Sequence, residues 1–240
     1  MTNSRTKAVL FDLDGTLLPM DQDIFVKDYF TRLARHLAPH GYESHRFTEV
    51  MWKGVFAMAN NDGSKTNEAA FWEAFSTVYG ADKVATDLPL FEEFYETEFQ
   101  RVQEVCSKDP RAAQIVRGLK QRGVRVALTT NPLFPSIATK SRIRWAGLSP
   151  TDFELITTYE NCSSCKPNLH YYNDILHRLN LRAEDCIMVG NDVGDDMVAR
   201  DLGMRVFLLT DCLINKDERD IRVYPHGDFT ALAAYLDTLD

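Results

Sequence analysis

Two carboxylates lie close together near the start of the sequence, in the segment Asp-Leu-Asp-Gly-Thr at residues 12–16, directly after the apolar residues 8–11. A buried strand that ends in a turn explains this pattern, because side chains two apart share one face of a strand and Gly15 permits a sharp turn. Asp12 and Asp14 could then act on one ligand, the first by attacking phosphorus and the second by moving protons. The pair indicates phosphoryl transfer, although Asp-x-Asp-Gly is also typical of a plain surface turn.

Two further short segments carry groups suited to phosphate. Thr130 and Asn131 follow an apolar run that ends at Leu128, and their hydroxyl and amide groups can hydrogen-bond to phosphate oxygens. Lys166 precedes Pro167, which favours an extended backbone at the lysine. Its compact positive charge could balance an attacking carboxylate and a transferring phosphoryl group together. An ordinary strand-to-turn transition and a solvated surface lysine are the alternatives.

Another short segment, further along the chain, is unusually acidic. Asp192, Asp195 and Asp196 lie between an expected strand at residues 186–189 and an expected helix at residues 196–202. Two carboxylates about 4 Å apart repel by roughly 4 kcal/mol at an effective dielectric of 20, so converging carboxylates need a proton or a cation. Hard oxygen ligands favour Mg²⁺. Asp195 has a simpler explanation, which is attraction to the positive end of the helix.

All of these segments follow strands of a predicted parallel sheet. From residue 124 onward, short apolar runs alternate with amphipathic stretches, which indicates β and α units whose helices cover both faces of the sheet. In a sheet of this kind the carboxyl ends of the strands gather the active site. The predicted fold class is therefore α/β, a three-layer, doubly wound, Rossmann-like parallel sheet.

Residues 20–108 break this alternation, because their apolar spacing is helical throughout. One face of a single expected helix consists of Phe91, Phe94, Tyr95, Glu98 and Val102. Pro110 then marks the return to the α/β unit. We therefore predict an inserted all-helical cap domain at residues 20–108, and a core domain formed by residues 1–19 and 109–240.

The bulk composition limits the possible partners. The 240 residues are 45% hydrophobic and carry a formal net charge of −8, so we expect a folded core and no nucleic-acid partner. Residues 1–7 are polar and predict no signal peptide, and no apolar stretch predicts a membrane span. Five scattered cysteines do not form a disulfide framework, and the C-x-x-C pair Cys162 and Cys165 lacks further zinc ligands. These features predict a cytoplasmic protein with no membrane partner.

Taken together and in this order, the four polar segments resemble the motifs of the haloacid dehalogenase superfamily of phosphotransferases, in the phosphatase type that carries a helical cap between its first and second motifs. The resemblance covers the α/β portion as far as Leu209. It implies that Asp12 is the nucleophile and Asp14 the general acid and base. It also implies a set of side chains that hold the phosphoryl group, namely Thr130, Asn131 and Lys166.

For the metal, the resemblance implies Mg²⁺. The implied ligands are the Asp12 carboxylate, the Asp14 carbonyl and Asp192, with Asp196 supporting the metal shell or Lys166. The superfamily often has Gly-Asp where this chain has Gly-Asn-Asp at residues 190–192. The choice of the direct ligand between Asp192, Asp195 and Asp196 therefore stays open.

The implied reaction is Mg²⁺-dependent hydrolysis of a small phosphorylated metabolite, a phosphomonoester, through an aspartyl-phosphate. A phosphomutase is the first alternative, since it uses the same intermediate but returns the phosphoryl group to the substrate. Dehalogenase chemistry needs neither a general acid nor a metal, so Asp14 and the acidic segment argue against it. A phospho-receiver module should carry its aspartate after the third strand, whereas Asp12 follows the first. A monomer and a homodimer are both compatible with the sequence.

Overall fold

A five-stranded parallel sheet forms the centre of the protein, in the order β2-β1-β3-β4-β5. The computed structural model describes residues 6–238, so most of the polar start and residues 239–240 lie outside the described residues. The strands are β1 (Ala8–Phe11), β2 (Arg125–Leu128), β3 (Cys186–Gly190), β4 (Arg205–Leu209) and β5 (His226–Gly227). Because β1 lies between β2 and β3, Asp12 follows a strand inside the sheet and lies between the loops that follow both neighbours.

Helices cover both faces of this sheet, because its strands are apolar on both faces. The helices are α1 (Gln22–Leu37), α2 (Ser44–Ala59), α3 (Asn67–Tyr79), α4 (Ala81–Glu96), α5 (Pro110–Gln121), α6 (Ser136–Trp145), α7 (Leu169–Leu179) and α8 (Phe229–Asp237). In β1, Val9 and Phe11 join a buried cluster with α5, α6 and α8, while Ala8 and Leu10 join a second cluster with α7. The predicted three-layer, doubly wound α/β fold is confirmed.

The segment between β1 and α5 contributes helices and no strand to the described structure. It consists of α1 to α4 and two 3₁₀ helices, at Ala38–His40 and at Glu98–Val105. The two connections of this helical segment to the rest of the chain run side by side. Met20 pairs antiparallel with Cys106, and the Ser107 N–H donates to the Pro19 carbonyl at 2.8 Å. The domain boundaries at residues 20 and 108 stay predictions.

The helical segment packs on the sheet layer through aromatic side chains. Phe25 lies 6.0 Å from Phe134, and Phe99 lies 5.2 Å from Trp145, measured between ring centroids. One continuous buried cluster contains residues of α1, of α4 and of strands β1 to β4. The helical segment and the sheet therefore share a hydrophobic core.

Two predicted elements differ from the structure. The single helix expected through Phe91 and Val102 is wrong, because α4 ends at Glu96 and a 3₁₀ helix begins at Glu98. The Thr97 hydroxyl donates to the Glu93 carbonyl at 2.7 Å, and such side-chain bonds compete with helix geometry. The helix expected at residues 196–202 is a 3₁₀ helix, Met197–Leu202. Within residues 6–238, no helix combines the length and apolarity that crossing a bilayer requires.

Candidate active site

Asp12 and Lys166 form the buried centre of the candidate site. The Asp12 N–H donates to the Val189 carbonyl of β3 at 2.9 Å, which fixes its backbone at the carboxyl end of the sheet. Lys166 Nζ lies 2.9 Å from Asp12 Oδ1 and 2.6 Å from Asp196 Oδ1. The exposed fractions of the three side chains are 10% for Asp12 and 1% for Lys166 and Asp196. One ammonium group is therefore shared by two buried carboxylates.

The pKa values at this centre reflect burial first and the neighbouring charges second. Burial raises the pKa of Asp12 to about 7; the Lys166 charge opposes this rise, and the charges of Asp196 and Asp14 add to it. Burial by itself would lower the pKa of Lys166, but Asp12 and Asp196 raise it well above its ordinary value. Burial also raises the pKa of Asp195 to about 6. Lys166 thus stays charged, while the carboxylates around it are poorly compensated.

Asp14 has a different partner. The strand β1 ends at Phe11, so Asp14 lies in the turn after it and the predicted strand alternation does not extend to Asp14. The turn expected at Gly15 is present, with φ +79°. Its Oδ2 forms an ion pair with Arg142 Nη1 of α6. Its Oδ1 is buried and has no hydrogen-bond partner within the described chain. The two motif carboxylates are therefore held by two separate cations.

Arg142 is a fully buried cation that the sequence analysis did not identify. Its side chain is 0% exposed, and its guanidinium carbon lies 4.2 Å from the centre of the Phe134 ring. It also donates to the Thr139 hydroxyl at 3.3 Å. The sequence holds one signal of this role, since Arg142 lies four residues after Ala138 and three before Trp145, on the apolar side of a predicted helix.

The loop after β2 carries the predicted phosphate-binding residues. The Thr130 carbonyl accepts from the Thr157 hydroxyl at 2.7 Å and from the Tyr171 hydroxyl at 2.8 Å, which fixes the peptide between Thr130 and Asn131. Asn131 Nδ2 donates to Asp195 Oδ2 at 3.1 Å, whereas Asn131 Oδ1 is buried and without a partner in residues 6–238. Asn131 thus borders the acidic loop, and its amide donor is engaged by a carboxylate.

The acidic loop after β3 folds largely on its own backbone. Asp192 Oδ1 accepts from the N–H groups of Gly194 and Asp195, at 2.7 and 3.0 Å, and Asp196 Oδ2 accepts from the Asp192 N–H at 3.0 Å. Gly190 is required here, because a Cβ would lie 2.0 Å from Asp196 Oδ2. The explanation of Asp195 by a helix end alone is insufficient, since its carboxylate faces Asn131.

The four predicted metal ligands do not form one cluster in the structure. Among the described residues, no group of three or more histidine, cysteine, aspartate or glutamate side chains is arranged to hold a metal ion. Asp12 and Asp196 share Lys166, Asp14 pairs with Arg142, and Asp192 accepts backbone hydrogen bonds. The donor chemistry nevertheless fits Mg²⁺, because the groups are hard oxygens and the carboxylates of Asp12 and Asp196 share a single ammonium group, which leaves negative charge uncompensated.

Asn191 explains the departure from Gly-Asp at residues 190–192. Its Oδ1 accepts from the Thr16 hydroxyl at 2.9 Å, and its Nδ2 donates to the Cys212 carbonyl at 2.6 Å. Gly15 is packed so closely against it that a Cβ would lie 2.3 Å from the Asn191 amide nitrogen. Asn191 therefore ties the turn that carries Asp14 to the loop after β4.

Helix α3 closes the Lys166 side of the site. The buried Asn67 amide donates to the Pro132 carbonyl at 3.1 Å and to Cys165 Sγ at 3.3 Å. The Asn67 backbone N–H donates to the Cys162 carbonyl at 2.8 Å. Burial raises the pKa of the Cys162 thiol to about 11 and that of Cys165 to about 12. The C-x-x-C pair therefore consists of protonated packing thiols between the helical segment and the Lys166 loop.

The Asp14 side of the site opens into a cleft of about 1560 Å³. Asp14, Gly15 and Asn191 line its inner end, and the cleft continues along α1 towards α2. The loop at residues 211–216 forms its other wall. The cleft therefore connects Asp14 with exposed residues of α1 and α2.

The chain matches the family model described as haloacid dehalogenase-like hydrolase over residues 6–203. The ribulose-1,5-bisphosphate 5-phosphatase of Halopiger xanaduensis is 26% identical over 208 residues, which cover 84% of this chain and 83% of that protein. The phosphoglycolate phosphatase of Agrobacterium fabrum is 25% identical over 236 residues, which cover 95% and 91%.

Solved structures share the fold at lower identity. The 2-haloacid dehalogenase of Pseudomonas syringae pv. Tomato has a TM-score of 0.66 and 18% identity, covering 98% of this chain and 100% of that one. The HAD hydrolase YfnB of Bacillus subtilis, bound to magnesium, has a TM-score of 0.57 and 19% identity, covering 97% and 99%.

Proposed function

This chain belongs to the haloacid dehalogenase-like hydrolases, and we propose that within this family it is a phosphatase that cleaves a small phosphomonoester through an aspartyl-phosphate on Asp12. The observation that carries the proposal is the buried pair of Asp12 and Lys166, with Nζ 2.9 Å from Oδ1. Asp14 lies two residues away, where the cleft begins. The two phosphatases to which the chain is similar support this reaction class.

Asp12 provides the nucleophile in the first step. Its carboxylate attacks phosphorus in line with the leaving oxygen, so that an acyl-phosphate bond forms as the ester bond breaks. Lys166 stays charged beside this carboxylate and stabilises the negative charge on the phosphoryl oxygens. Burial of both groups strengthens this attraction.

Asp14 moves the protons. Its Oδ2 is engaged by Arg142, so the unpartnered Oδ1 is the oxygen that holds the transferable proton. Asp14 gives this proton to the leaving alkoxide, then takes one from the water that hydrolyses the aspartyl-phosphate. Arg142 acts as a positioning residue, because it fixes the orientation of the carboxyl group.

We propose Mg²⁺ as the cofactor. The Asp12 carboxylate, the Asp192 carboxylate and the Asp14 main-chain carbonyl would hold it, after Asp192 exchanges its backbone hydrogen bonds for the metal. When bound, the ion neutralises negative charge on the phosphoryl oxygens. Asp196 remains with Lys166, to which it is bonded at 2.6 Å. The sharing of one ammonium group by the buried carboxylates of Asp12 and Asp196 supports this proposal.

We also propose a role for the helical segment and a location for the protein. Residues 20–108 would act as the cap that excludes water from the aspartyl-phosphate, supported by the contacts of Asn67 with the Lys166 loop. A cytoplasmic location is supported by the five cysteines, which are all free.

Phosphate release from a panel of phosphorylated metabolites tests the function. We expect stoichiometric inorganic phosphate, loss of turnover in excess EDTA and recovery on addition of Mg²⁺. A phosphoenzyme trapped by acid quench should be absent from Asp12→Asn. Isomerisation of a sugar phosphate without phosphate release would contradict hydrolysis and indicate a phosphomutase, while full activity in EDTA would contradict the metal.

A further inference from the structure

The cleft beyond Asp14 lies where the leaving group of the substrate would bind. This inference rests on the proposed function, in which Asp14 protonates the leaving oxygen and Asp12 receives the phosphoryl group. The part of the substrate bonded to that oxygen must therefore lie on the Asp14 side. Because Asp14 and Gly15 line the inner end of the cleft, the walls of the cleft describe the chemistry of the leaving alcohol.

Helix α1 lines the cleft with two parallel stripes of side chains. Val26, Phe30 and Ala34 recur every four residues and form an apolar stripe. A polar stripe beside it consists of Lys27, Thr31 and Arg35. The Thr31 hydroxyl already donates to the Lys27 carbonyl at 2.7 Å, so the cations Lys27 and Arg35 are the donors of this stripe. A ligand along this helix therefore meets an apolar surface on one side and two cationic side chains on the other.

Trp52 of α2 extends the apolar stripe. Its ring lies 5.3 Å from that of Phe30, with an interplanar angle of 63°, and the residue is 51% exposed although it lines the cleft. Leu213, which is 37% exposed, belongs to the opposite wall. Large apolar side chains at this exposure, lining a cavity that leads to a catalytic group, are typical of a binding surface for an apolar or aromatic ligand.

Charges of both signs line the cleft. Among the carboxylates, Asp21 caps α1 through the Ile24 N–H, Asp211 lies 4.0 Å from Arg111, and Asp23 is exposed on the first turn of α1. The cations Lys27, Arg35 and Lys216 also line the cleft, and they form no ion pair with any residue of 6–238. Unpaired cations beside an apolar stripe favour a ligand whose polar edge carries hydrogen-bond acceptors.

The extent of the cleft bears on the size of the ligand. Gln22 and Phe30 both line the cleft, and their separation of eight residues corresponds to about 12 Å along the helix axis at 1.5 Å per residue. With a volume of about 1560 Å³, the cleft accommodates a leaving group much larger than a two-carbon alcohol. We propose that the substrate is a phosphomonoester whose leaving alcohol carries a planar aromatic ring, and that this ring packs against Trp52 and Phe30 with its acceptor groups towards Lys27.

A matched pair of substrates tests this proposal. Adenosine 5′-monophosphate and ribose 5-phosphate share the ester and the sugar and differ in the aromatic base, so the ratio of their kcat/KM values isolates the ring. We expect this ratio to exceed ten in the wild-type protein. Trp52→Ala should lower the ratio at least fivefold, the size of effect seen when stacking residues are removed, and Trp52→Phe should restore most of it.

Phe56 provides the control. It lies one turn further along α2, is 70% exposed and does not line the cleft, so Phe56→Ala should leave the ratio within twofold. A wild-type ratio near one, or equal changes in Trp52→Ala and Phe56→Ala, would overturn the proposal and leave the phosphatase function intact.

A binding measurement separates the two proposals. Calorimetric titration of Asp12→Asn with the same two esters requires no turnover, and we expect tighter binding of the aromatic ester by at least fivefold. If the wild-type protein hydrolyses neither ester and also fails on p-nitrophenyl phosphate, the phosphatase proposal is wrong. Equal binding of the two esters would then overturn the cleft proposal as well.

Discussion

The two sides of the candidate site are built differently. On the Lys166 side, α3 and the buried Tyr171 and Tyr172 close the site. The Tyr172 hydroxyl donates to the Asp195 carbonyl at 2.6 Å. On the Asp14 side, the turn faces an open cleft of about 1560 Å³. In the proposed reaction, the closed side would hold the phosphoryl group common to all phosphomonoesters, and the open side would face the part that varies between them. The proposal thus assigns reaction and specificity to separate regions.

The electrostatics of the two sides differ in the same way. Lys166 is shared between Asp12 and Asp196, which leaves one negative charge uncompensated, while Arg142 pairs with Asp14 alone. The first arrangement attracts a cation and an electrophile, and the second holds one carboxyl group in a fixed orientation. Three substitutions and one pH dependence test this contrast.

Asp12→Asn should have the largest effect. We expect kcat to fall by at least about 10⁴-fold, because removal of a nucleophile costs this much or more in other enzymes. Phosphate release under saturating substrate measures the change. The control is Asp174→Asn on α7, whose carboxylate pairs at the surface with Arg178. Near wild-type turnover in Asp12→Asn would show that the nucleophile lies elsewhere.

Asp14→Asn should reduce kcat by about 10²–10⁴-fold, the usual contribution of a general acid and base. The loss should be smaller on p-nitrophenyl phosphate, whose leaving group needs less protonation. Comparison of this ester with an alkyl phosphate gives the result. The same loss on both esters would contradict the assignment of Asp14 as proton donor.

Arg142→Met should destabilise the fold by about 3–5 kcal/mol, because it leaves the Asp14 carboxylate partly buried without its cation. Urea denaturation measures this change. Arg144→Met on the exposed side of α6 is the matched control and should stay within about 0.5 kcal/mol of the wild type. Asp14→Asn in the Arg142→Met background should recover part of the loss. Equal stability of Arg142→Met and Arg144→Met would mean that the ion pair contributes nothing.

The smallest effect concerns pH. Burial raises the pKa of Asp12 to about 7 in the folded protein, so between about pH 4 and 7 the folded state binds more protons at this position than the unfolded state. The contribution of Asp12 to the free energy of unfolding therefore falls as pH rises. In EDTA, the stability of Asp12→Asn relative to the wild type should increase by about 1–3 kcal/mol from pH 5 to 8, since one pKa unit corresponds to about 1.4 kcal/mol. Denaturation curves at both pH values measure it, and a difference that is constant with pH would contradict the raised pKa.

The sequence predicted the sheet and the segments at its carboxyl edge because both depend on local patterns. Asp12, Thr130 and the acidic loop each follow a short apolar run, and the carboxyl ends of parallel strands meet at one edge of the sheet. Lys166 follows no such run, and the proline after it was its only local signal. The sequence predicted Asn131 as a phosphate-binding residue and explained Asp195 by a helix end. Their mutual hydrogen bond at 3.1 Å depends on the relative position of two loops, which no local pattern encodes.

The features that the sequence did not predict depend on packing between distant segments. Arg142 lies 128 residues from Asp14, and a single arginine on an apolar helix face does not reveal its partner. The cleft is formed by α1, α2 and the loop at residues 211–216, which no motif links. Trp52 was an ordinary aromatic residue in the sequence, and only its exposure beside Phe30 distinguishes it.

The paired connections at Met20 and Cys106 have a consequence for protein engineering. The ends of the helical segment lie next to each other. A different segment with adjacent ends could therefore replace it without lengthening either of the two connections. The interior that the segment shares with α6 acts against such an exchange, since Phe134 and Trp145 would lose the aromatic rings that cover them. A transplanted segment must therefore bring two matching aromatic side chains, and an empty splice should yield a protein that self-associates through the uncovered face of α6.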